Sequence, residues 1–296
     1  MAVGFCSINE NNNRGGISRG NNKMKNCDFC GNQLEDSFIA KDRMGFTKKN
    51  FIWKKCSKCG LLQLSGAKDN QYFQEYYFKE KDSIVDKIIF LNRLNIFKYF
   101  INKKSNILEI GCGSGRFLNF LYKNGFRNLW GVEYSKKALE YMKQFKFNTS
   151  KKIPLKLFDL IIMEASLEHV ESPKKMFKEI SKVLSSNGVL IVTIPNIESL
   201  QSKNTGKYWF HLDTPRHLFM FKKENLEKYC SLFNLKVTGE HHFNFQYELP
   251  GWIYSKKRDP NYSFVHNLVS LIYLPIFIYV ALTKQSSVVS YVIKRQ

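Results

Sequence analysis

The sequence predicts an α/β fold: a doubly wound, mostly parallel sheet covered by helices, with a small metal-stabilised module in front. Three observations carry this expectation. From residue 106 onward, short apolar runs without polar alternation are separated by helical stretches, the pattern of strands buried on both faces. A glycine-rich turn, Gly111-Cys112-Gly113-Ser114-Gly115, closes the first of those runs and opens a helix, as a backbone does where it must approach a ligand closely. Nearer the N-terminus stand two copies of C-x-x-C-G, Cys27-Asp28-Phe29-Cys30-Gly31 and Cys56-Ser57-Lys58-Cys59-Gly60.

In order along the chain, residues 1–25 read as a disordered tail rich in Asn, Gly and Arg. They contain no apolar core of a signal peptide, so a cytoplasmic protein is expected. In that compartment the seven cysteines are better read as metal ligands and thiols than as disulfides. Residues 26–66 form the metal module. Cys27, Cys30, Cys56 and Cys59 supply four thiolates, and the glycine after each pair allows the tight turn that aims backbone N–H groups at sulfur. Four thiolates suit tetrahedral Zn²⁺ and leave no open position, so the expected role is structural. An iron–sulfur cluster is the alternative. Residues 67–100 read as a helical connector: Tyr72–Phe78 is aromatic, and Ile84, Ile88, Leu91 and Leu94 recur at helical spacing.

Within the main domain, residues 101–296, strands are expected at Asn106–Ile110, Leu129–Glu133, Phe158–Ala165, Val189–Ile194, Leu235–Gly239 and Ser286–Ile293. Helices are expected at Arg116–Asn124, Lys136–Phe145, Pro173–Leu184 and Lys222–Phe233. No strand is evident between Phe145 and Leu157. The glycine spacing is G-x-G-x-G. A dinucleotide fingerprint needs a glycine at 116, where Arg116 stands. Glu109 ends the first strand beside the loop. Glu133 ends the next, about 20 residues on, where a ribose-binding acid belongs. Cys112 fits the loop by its small size.

Leu108–Gly115 resembles motif I of the class I S-adenosylmethionine (SAM) dependent methyltransferases, which have a Rossmann-like fold, and Gly131-Val132-Glu133 resembles their acidic ribose motif. Phe158–Ile162 with Leu167-Glu168-His169-Val170 is similar to the fourth strand and its loop, and Val183–Leu190 to the turn into the fifth. The resemblance spans residues of about 100 to 245 of a doubly wound fold. It implies SAM as cofactor, held by Glu109, Gly111, Cys112, Gly113, Gly115 and Glu133. The cysteine pairs, the Tyr-rich stretch and Asp213-Thr214-Pro215-Arg216-His217-Leu218 resemble a bacterial subgroup that modifies cell-envelope sugars or small molecules. The acid of the adenine motif is missing, with Lys151-Lys152-Ile153-Pro154 in its place. Ubiquinone-pathway relatives carry a Glu three residues before the Glu-His pair. Here that residue is Ala165, and their metal site is not carried over.

SAM carries its own leaving group, so the protein must chiefly orient the acceptor and exclude water. His169, at the carboxyl edge of the sheet, reads either as a general base or as a loop anchor. His217, beside Arg216, reads either as an acceptor contact or as part of a turn. Asn196 is a possible ligand contact, and His241, His242, Cys6 and Cys230 are read as structural. The formal charge of +21 favours anionic partners, but it is mostly Lys and spread along the chain. A methyltransferase for a small-molecule or envelope-sugar acceptor is therefore the first expectation. An RNA methyltransferase is the second, and a non-catalytic binding protein the third. Residues 264–282 are almost wholly apolar between basic flanks. They are expected to touch a membrane surface or a second copy of the chain without spanning a bilayer, because Ser286–Ile293 must return to the sheet.

Overall fold

The computed structural model describes residues 26–43, 49–65, 82–257 and 274–296. Its centre is a seven-stranded sheet. The strands are β4 (Ile107–Ile110), β5 (Leu129–Val132), β6 (Asn148–Ser150), β7 (Phe158–Glu164), β8 (Leu184–Pro195), β10 (Leu235–His241) and β11 (Val288–Arg295). Their order is β10-β11-β8-β7-β4-β5-β6. Neighbours from β8 to β6 are parallel, and β11 runs antiparallel to both β8 and β10. Strands β4, β7 and β8 are apolar and nearly all buried because helices cover both faces. Chain order reverses between β4 and β7, so their carboxyl ends open the crevice in which such sheets bind ligands.

The third strand, not evident in the sequence, is β6. It has three polar residues and pairs with β5 through Trp130 opposite Asn148. An edge strand this short needs no apolar run, which is why periodicity misses it.

The helices on the sheet are α2 (Arg116–Lys123), α3 (Lys136–Met142), α4 (Pro173–Val183), α5 (Leu200–Thr205) and α6 (Lys223–Ser231). Ser135, Ser172 and Ser199 cap three of them by accepting from backbone N–H groups. The connector yields α1 (Ile84–Phe97), whose Ser83–Asp86 capping box fixes its start. Phe90, Arg93 and Phe97 form its buried face. Of the stripe that marks the helix in the sequence, Ile84, Ile88 and Leu91 are exposed among the described residues and Leu94 packs partly against the core. Residues 66–81, with the Tyr-rich stretch, lie outside the described residues.

A second, antiparallel sheet joins β1 (Leu34–Lys41), β2 (Asn50–Cys56) and β3 (Leu62–Ser65) to β9 (Phe219–Met220), a strand of the main domain. One hydrophobic cluster holds Cys27, Cys56 and Leu61 together with Leu108, Phe177 and Tyr229. The Asp28 carboxylate accepts from Tyr229 Oη (2.9 Å), Ser172 Oγ (2.6 Å) and the Lys174 N–H (3.0 Å). The four-cysteine segment is thus built into the main domain by a shared sheet and by side-chain hydrogen bonds.

Two helices follow β10: α7 (Phe245–Lys257) and α8 (Leu274–Leu282). Only the second part of the apolar 264–282 stretch is described. There Phe277 and Ala281 pack on Leu249 of α7, while Leu274, Ile278, Tyr279 and Leu282 stay exposed. No described helix is long and apolar enough to cross a membrane. The chain then returns as β11 between β8 and β10.

Candidate functional site

The cofactor loop grows out of β4. Gly111 and Cys112 both donate backbone N–H to Val132 O, at 2.8 and 3.2 Å, which ties the loop to the end of β5. Gly113 has φ +55°, and a Cβ there would enter open space, the space a close-lying ligand needs. Gly111, at φ +75°, has the opposite reason to be glycine. A Cβ would come within 2.6 Å of Ser166 Cβ in the loop after β7. Gly115 caps α2 in the left-handed conformation. The Cys112 side chain is buried against Met142, Sγ to Sδ 3.7 Å, and beside Gly131, which leaves its backbone as the part that a ligand in the loop could meet.

Glu133 Oε2 accepts from the Gly113 N–H at 2.9 Å, and Oε1 from the N–H groups of Tyr134 and Ser135. These bonds fix the carboxylate at the loop. Each oxygen has further lone pairs for ribose hydroxyls. Glu109 is almost fully buried, with Oε1 on the Arg93 guanidinium at 2.7 Å and Oε2 without a hydrogen-bond partner. Burial raises its pKa, and Arg93 opposes the rise. A buried carboxylate oxygen left unmatched beside an open glycine loop fits the cationic methionine end of SAM. The acidic strand end, the open loop and the second acid therefore fit this cofactor.

The structure adds residues that sequence reasoning passed over. Arg93 lies over the Phe117 ring at 3.8 Å and also approaches Glu164 at 3.5 Å. Glu164 ends β7, and its Oε1 accepts from Tyr247 Oη of α7 at 3.0 Å. A connector helix, two strand ends and a helix from near the C-terminus thus meet over the carboxyl edge of the sheet. The signal for Arg93 was a charged residue among apolar ones in α1. Tyr247 carried none.

The loop after β7 meets the segment before β9. His169 Nδ1 lies 3.0 Å from Arg216 O and His217 Nδ1 lies 2.9 Å from His211 O. The two imidazoles stand edge to face, with centroids 4.6 Å apart. Burial pushes His169 down to about 3 and His211 down to about 4, and it holds His217 well below the usual histidine range. All three are neutral near pH 7, and an imidazole with so acidic a conjugate acid is a poor proton acceptor. Glu168, beneath them, is pushed up to about 8 by burial. Asp213 accepts from Arg216 at Nε (3.1 Å) and at Nη2, which folds this turn on itself.

Of the other singled-out residues, Asn196 is hydrogen-bonded, while Nε2 of His241 and both ring nitrogens of His242 are buried without a hydrogen-bond partner among the described residues. Asn196 donates to Ser286 O and accepts from the Glu198 N–H. His242 is buried, 3.7 Å from Glu240, and Cys230 is buried with its thiol pushed up to about 12. Cys6 lies outside the described residues.

The four module cysteines converge. Their sulfurs lie within 4.8 Å of one another, with Cys27 Sγ 3.4 Å from Cys59 Sγ and Cys30 Sγ 3.5 Å from Cys56 Sγ. Gly31 and Gly60, each at φ +73°, donate back to Cys27 O and Cys56 O. The two knuckles are therefore alike in backbone as well as in sequence. Burial raises the Cys56 thiol, but backbone N–H groups of Cys59 and Lys58 outweigh it and bring the pKa to about 7.

Comparison with known proteins agrees with this geometry. A family described as a methyltransferase domain matches residues 73–240. An uncharacterized protein of Methanocaldococcus jannaschii is 34% identical over 133 residues, 42% of this chain and 56% of that protein. The EEF1A lysine methyltransferase 2 of Danio rerio is 29% identical over 144 residues, 41% of this chain and 62% of that protein. The chain thus spans little more than half the length of these relatives. A SAM-dependent methyltransferase of Archaeoglobus fulgidus superposes with a TM-score of 0.49 at 18% identity, covering 77% of this chain and 100% of that one. With the family match over more than half of its length, the seven-stranded sheet and the glycine loop at its switch point, the chain belongs to the class I SAM-dependent methyltransferases.

Proposed function

We propose that this enzyme transfers the SAM methyl group to a small-molecule acceptor, with cell-envelope sugars as the class. The observation that carries the reading is the cover over the carboxyl edge of the sheet. Arg93 from α1 and Tyr247 from α7 close over Glu109 and Glu164, and an enclosed polar site suits a small acceptor better than a polymer strand. The resemblance to the bacterial subgroup supplies the sugar class.

When bound, SAM would supply a methyl group on a sulfonium whose leaving group is a neutral thioether, and a hydroxyl acceptor would release its proton to solvent. Glu109 would balance the cationic methionine end, Glu133 would accept from ribose hydroxyls, and Gly113 would let the backbone lie against the cofactor. The neutral His169 would accept a hydrogen bond from an acceptor hydroxyl and orient it. In this reading the four thiolates of Cys27, Cys30, Cys56 and Cys59 hold one Zn²⁺. With a Zn–S length of about 2.3 Å, tetrahedral sulfurs lie about 3.8 Å apart, near the separations seen. No thiolate is left over for an open position, so the ion's role is structural.

The test is to incubate the full chain with methyl-labelled SAM and, in parallel, with an extract of small metabolites and nucleotide sugars or with total RNA. Label in the small-molecule fraction is expected. Label in RNA alone, with binding that weakens steeply as salt rises, would replace this reading with the nucleic-acid one.

A further inference from the structure

We propose that the outer faces of α1 and α8, joined through Phe243, form one surface that docks the protein on an anionic membrane. Three observations lead to it. The first is exposure. On α1, Ile84, Val85, Ile88 and Leu91 face solvent, and on α8 Leu274, Ile278, Tyr279 and Leu282 do the same. With Phe243, they make up more than half of the large apolar side chains exposed among the described residues. Apolar residues scattered singly over a surface are ordinary, but rows of them along two helices mark a place that meets something apolar.

The second observation is continuity. Asn92, next to the exposed Leu91, donates from Nδ2 to Phe243 O at 3.0 Å. The exposed Phe243 ring stands edge to face with Phe277 of α8, centroids 6.1 Å apart. A hydrogen bond and a ring contact thus link the two helices into one surface. The inner side of α1 carries Arg93 onto Glu109, so the same helix covers the cofactor loop inside and presents its apolar row outside.

The third is charge. The one acid of α1, Asp86, and Asp82 before it both pair with Arg116, and α8 has no charged residue. Exposed charges on and next to the two helices are cationic: Lys87, Lys98 and Lys284, the last also reaching Glu240 at 3.0 Å. Lys98 Nζ lies 4.9 Å from the centroid of the exposed Tyr99 ring. Lys256, Lys257 and Arg258 add to this side of the sequence. An aliphatic row bordered by lysines is the composition of a helix that lies among lipid headgroups. No described helix is long and apolar enough to cross a bilayer, so the contact is with one surface. The sign of the charge selects the occupant. A second copy would bring one +21 chain against another, with the same lysines face to face across a two-fold axis. Anionic lipid offers the opposite charge together with an apolar layer about 5–10 Å deep. The inference does not depend on the identity of the methyl acceptor.

The test floats the full chain with vesicles of phosphatidylcholine, with and without about one third phosphatidylglycerol. Flotation is expected with the anionic vesicles, and it should weaken as salt shortens the reach of the charges. Ile88→Glu with Leu91→Glu, and separately Ile278→Glu with Leu282→Glu, are each expected to weaken binding at least tenfold and to leave SAM affinity, measured by calorimetry, in place. Backbone hydrogen exchange of the wild-type chain provides a readout independent of the variants. It should slow in residues 84–97 and 274–282 when anionic vesicles are added. A wild-type chain that stays monomeric and does not float overturns the proposal. So does flotation that neither variant changes, which would be adsorption by charge alone. A lipid-free dimer that the glutamate variants split would assign the surface to a second copy instead. If one variant does not fold, the other and the exchange pattern decide.

Discussion

At Gly111 and Gly113, two glycines of one motif are required for different reasons. Gly111 lies against Ser166 of the neighbouring loop, where any Cβ collides. Gly113 faces open space in a left-handed conformation. Gly113→Val would be expected to fold, at a cost of about 1–2 kcal/mol for the positive φ, and to lower SAM affinity at least a hundredfold by filling the ligand's space. Calorimetry with SAM, alongside a thermal melt, separates the two effects; unchanged affinity would remove the loop from the cofactor site. Glu109, Gly113 and Glu133 were singled out because each stands at or just past a strand end at a set spacing. Arg93 showed only as a charge among apolar residues and Glu168 only as part of the Leu167–Val170 motif, while nothing local marked the contacts of Glu164 and Tyr247. They matter through neighbours far along the chain, and a single sequence does not show which distant residues meet.

On the scale of elements, α1 shows that helical spacing locates a helix without showing which face is buried. Ile84, Ile88 and Leu91 of its apolar stripe are exposed among the described residues, while Phe90, Arg93 and Phe97 are buried. Arg93 belongs inside because Glu109 and Glu164 neutralise it and Phe117 lies under its guanidinium. Phe90→Ala should cost about 3–5 kcal/mol, as emptying a well-packed aromatic site does. Ile88→Lys should stay within about 0.5 kcal/mol, as surface changes usually do. Denaturant melts of both variants check this; a large loss from Ile88→Lys would mean that this face is covered after all. The four-cysteine segment teaches a related lesson. Its metal-ligand pattern was complete in the sequence, but its pairing with β9 and the bond from Tyr229 to Asp28 were not. Tyr229→Phe should cost about 1.5–3 kcal/mol, the range for a hydrogen bond to a charged group. A melt with no measurable loss would show that this contact does not hold the segment to the main domain.

Across the whole molecule, the small sheet and the histidine loop are one mechanical unit. Cys56→Ser should abolish zinc retention by elemental analysis and lower the melting temperature. It should leave SAM affinity within a few-fold, since the glycine loop is held by β5 and β7. A hundredfold loss of SAM affinity would show the two regions to be coupled. The buried histidines also set a pH dependence. Burial lowers His169 to about 3 and His211 to about 4, and it holds His217 well below its ordinary 6.5. The unfolded chain therefore binds their protons first, and stability falls as pH drops from about 6.5 toward 3–4. Glu168, raised to about 8, acts oppositely. Its contribution is full below about 4.5 and is lost as pH rises through 8. Burial lowers His241 and His242 as well and raises Glu109 and Glu248, so five imidazoles stand against three carboxyls and the acid side is the steeper. A melting temperature that does not change between pH 7 and pH 5 would contradict the burial of these imidazoles.

The sequence by itself determined the elements whose signal is local. These are the alternation of buried strands and helices, the glycine loop with its two acids, the paired cysteine knuckles, and the return of the chain as a last strand. Each rests on spacing within a few residues, where backbone geometry and side-chain period leave few choices. Only the tertiary structure decided what depends on contacts between distant segments. It supplied the three-residue β6, the buried face of α1, the fourth strand of the small sheet, and the meeting of Glu168 and His169 with His217. Those contacts are selected by the packing of the whole chain, because burying a charged or polar side chain is favourable only where a partner from elsewhere satisfies it.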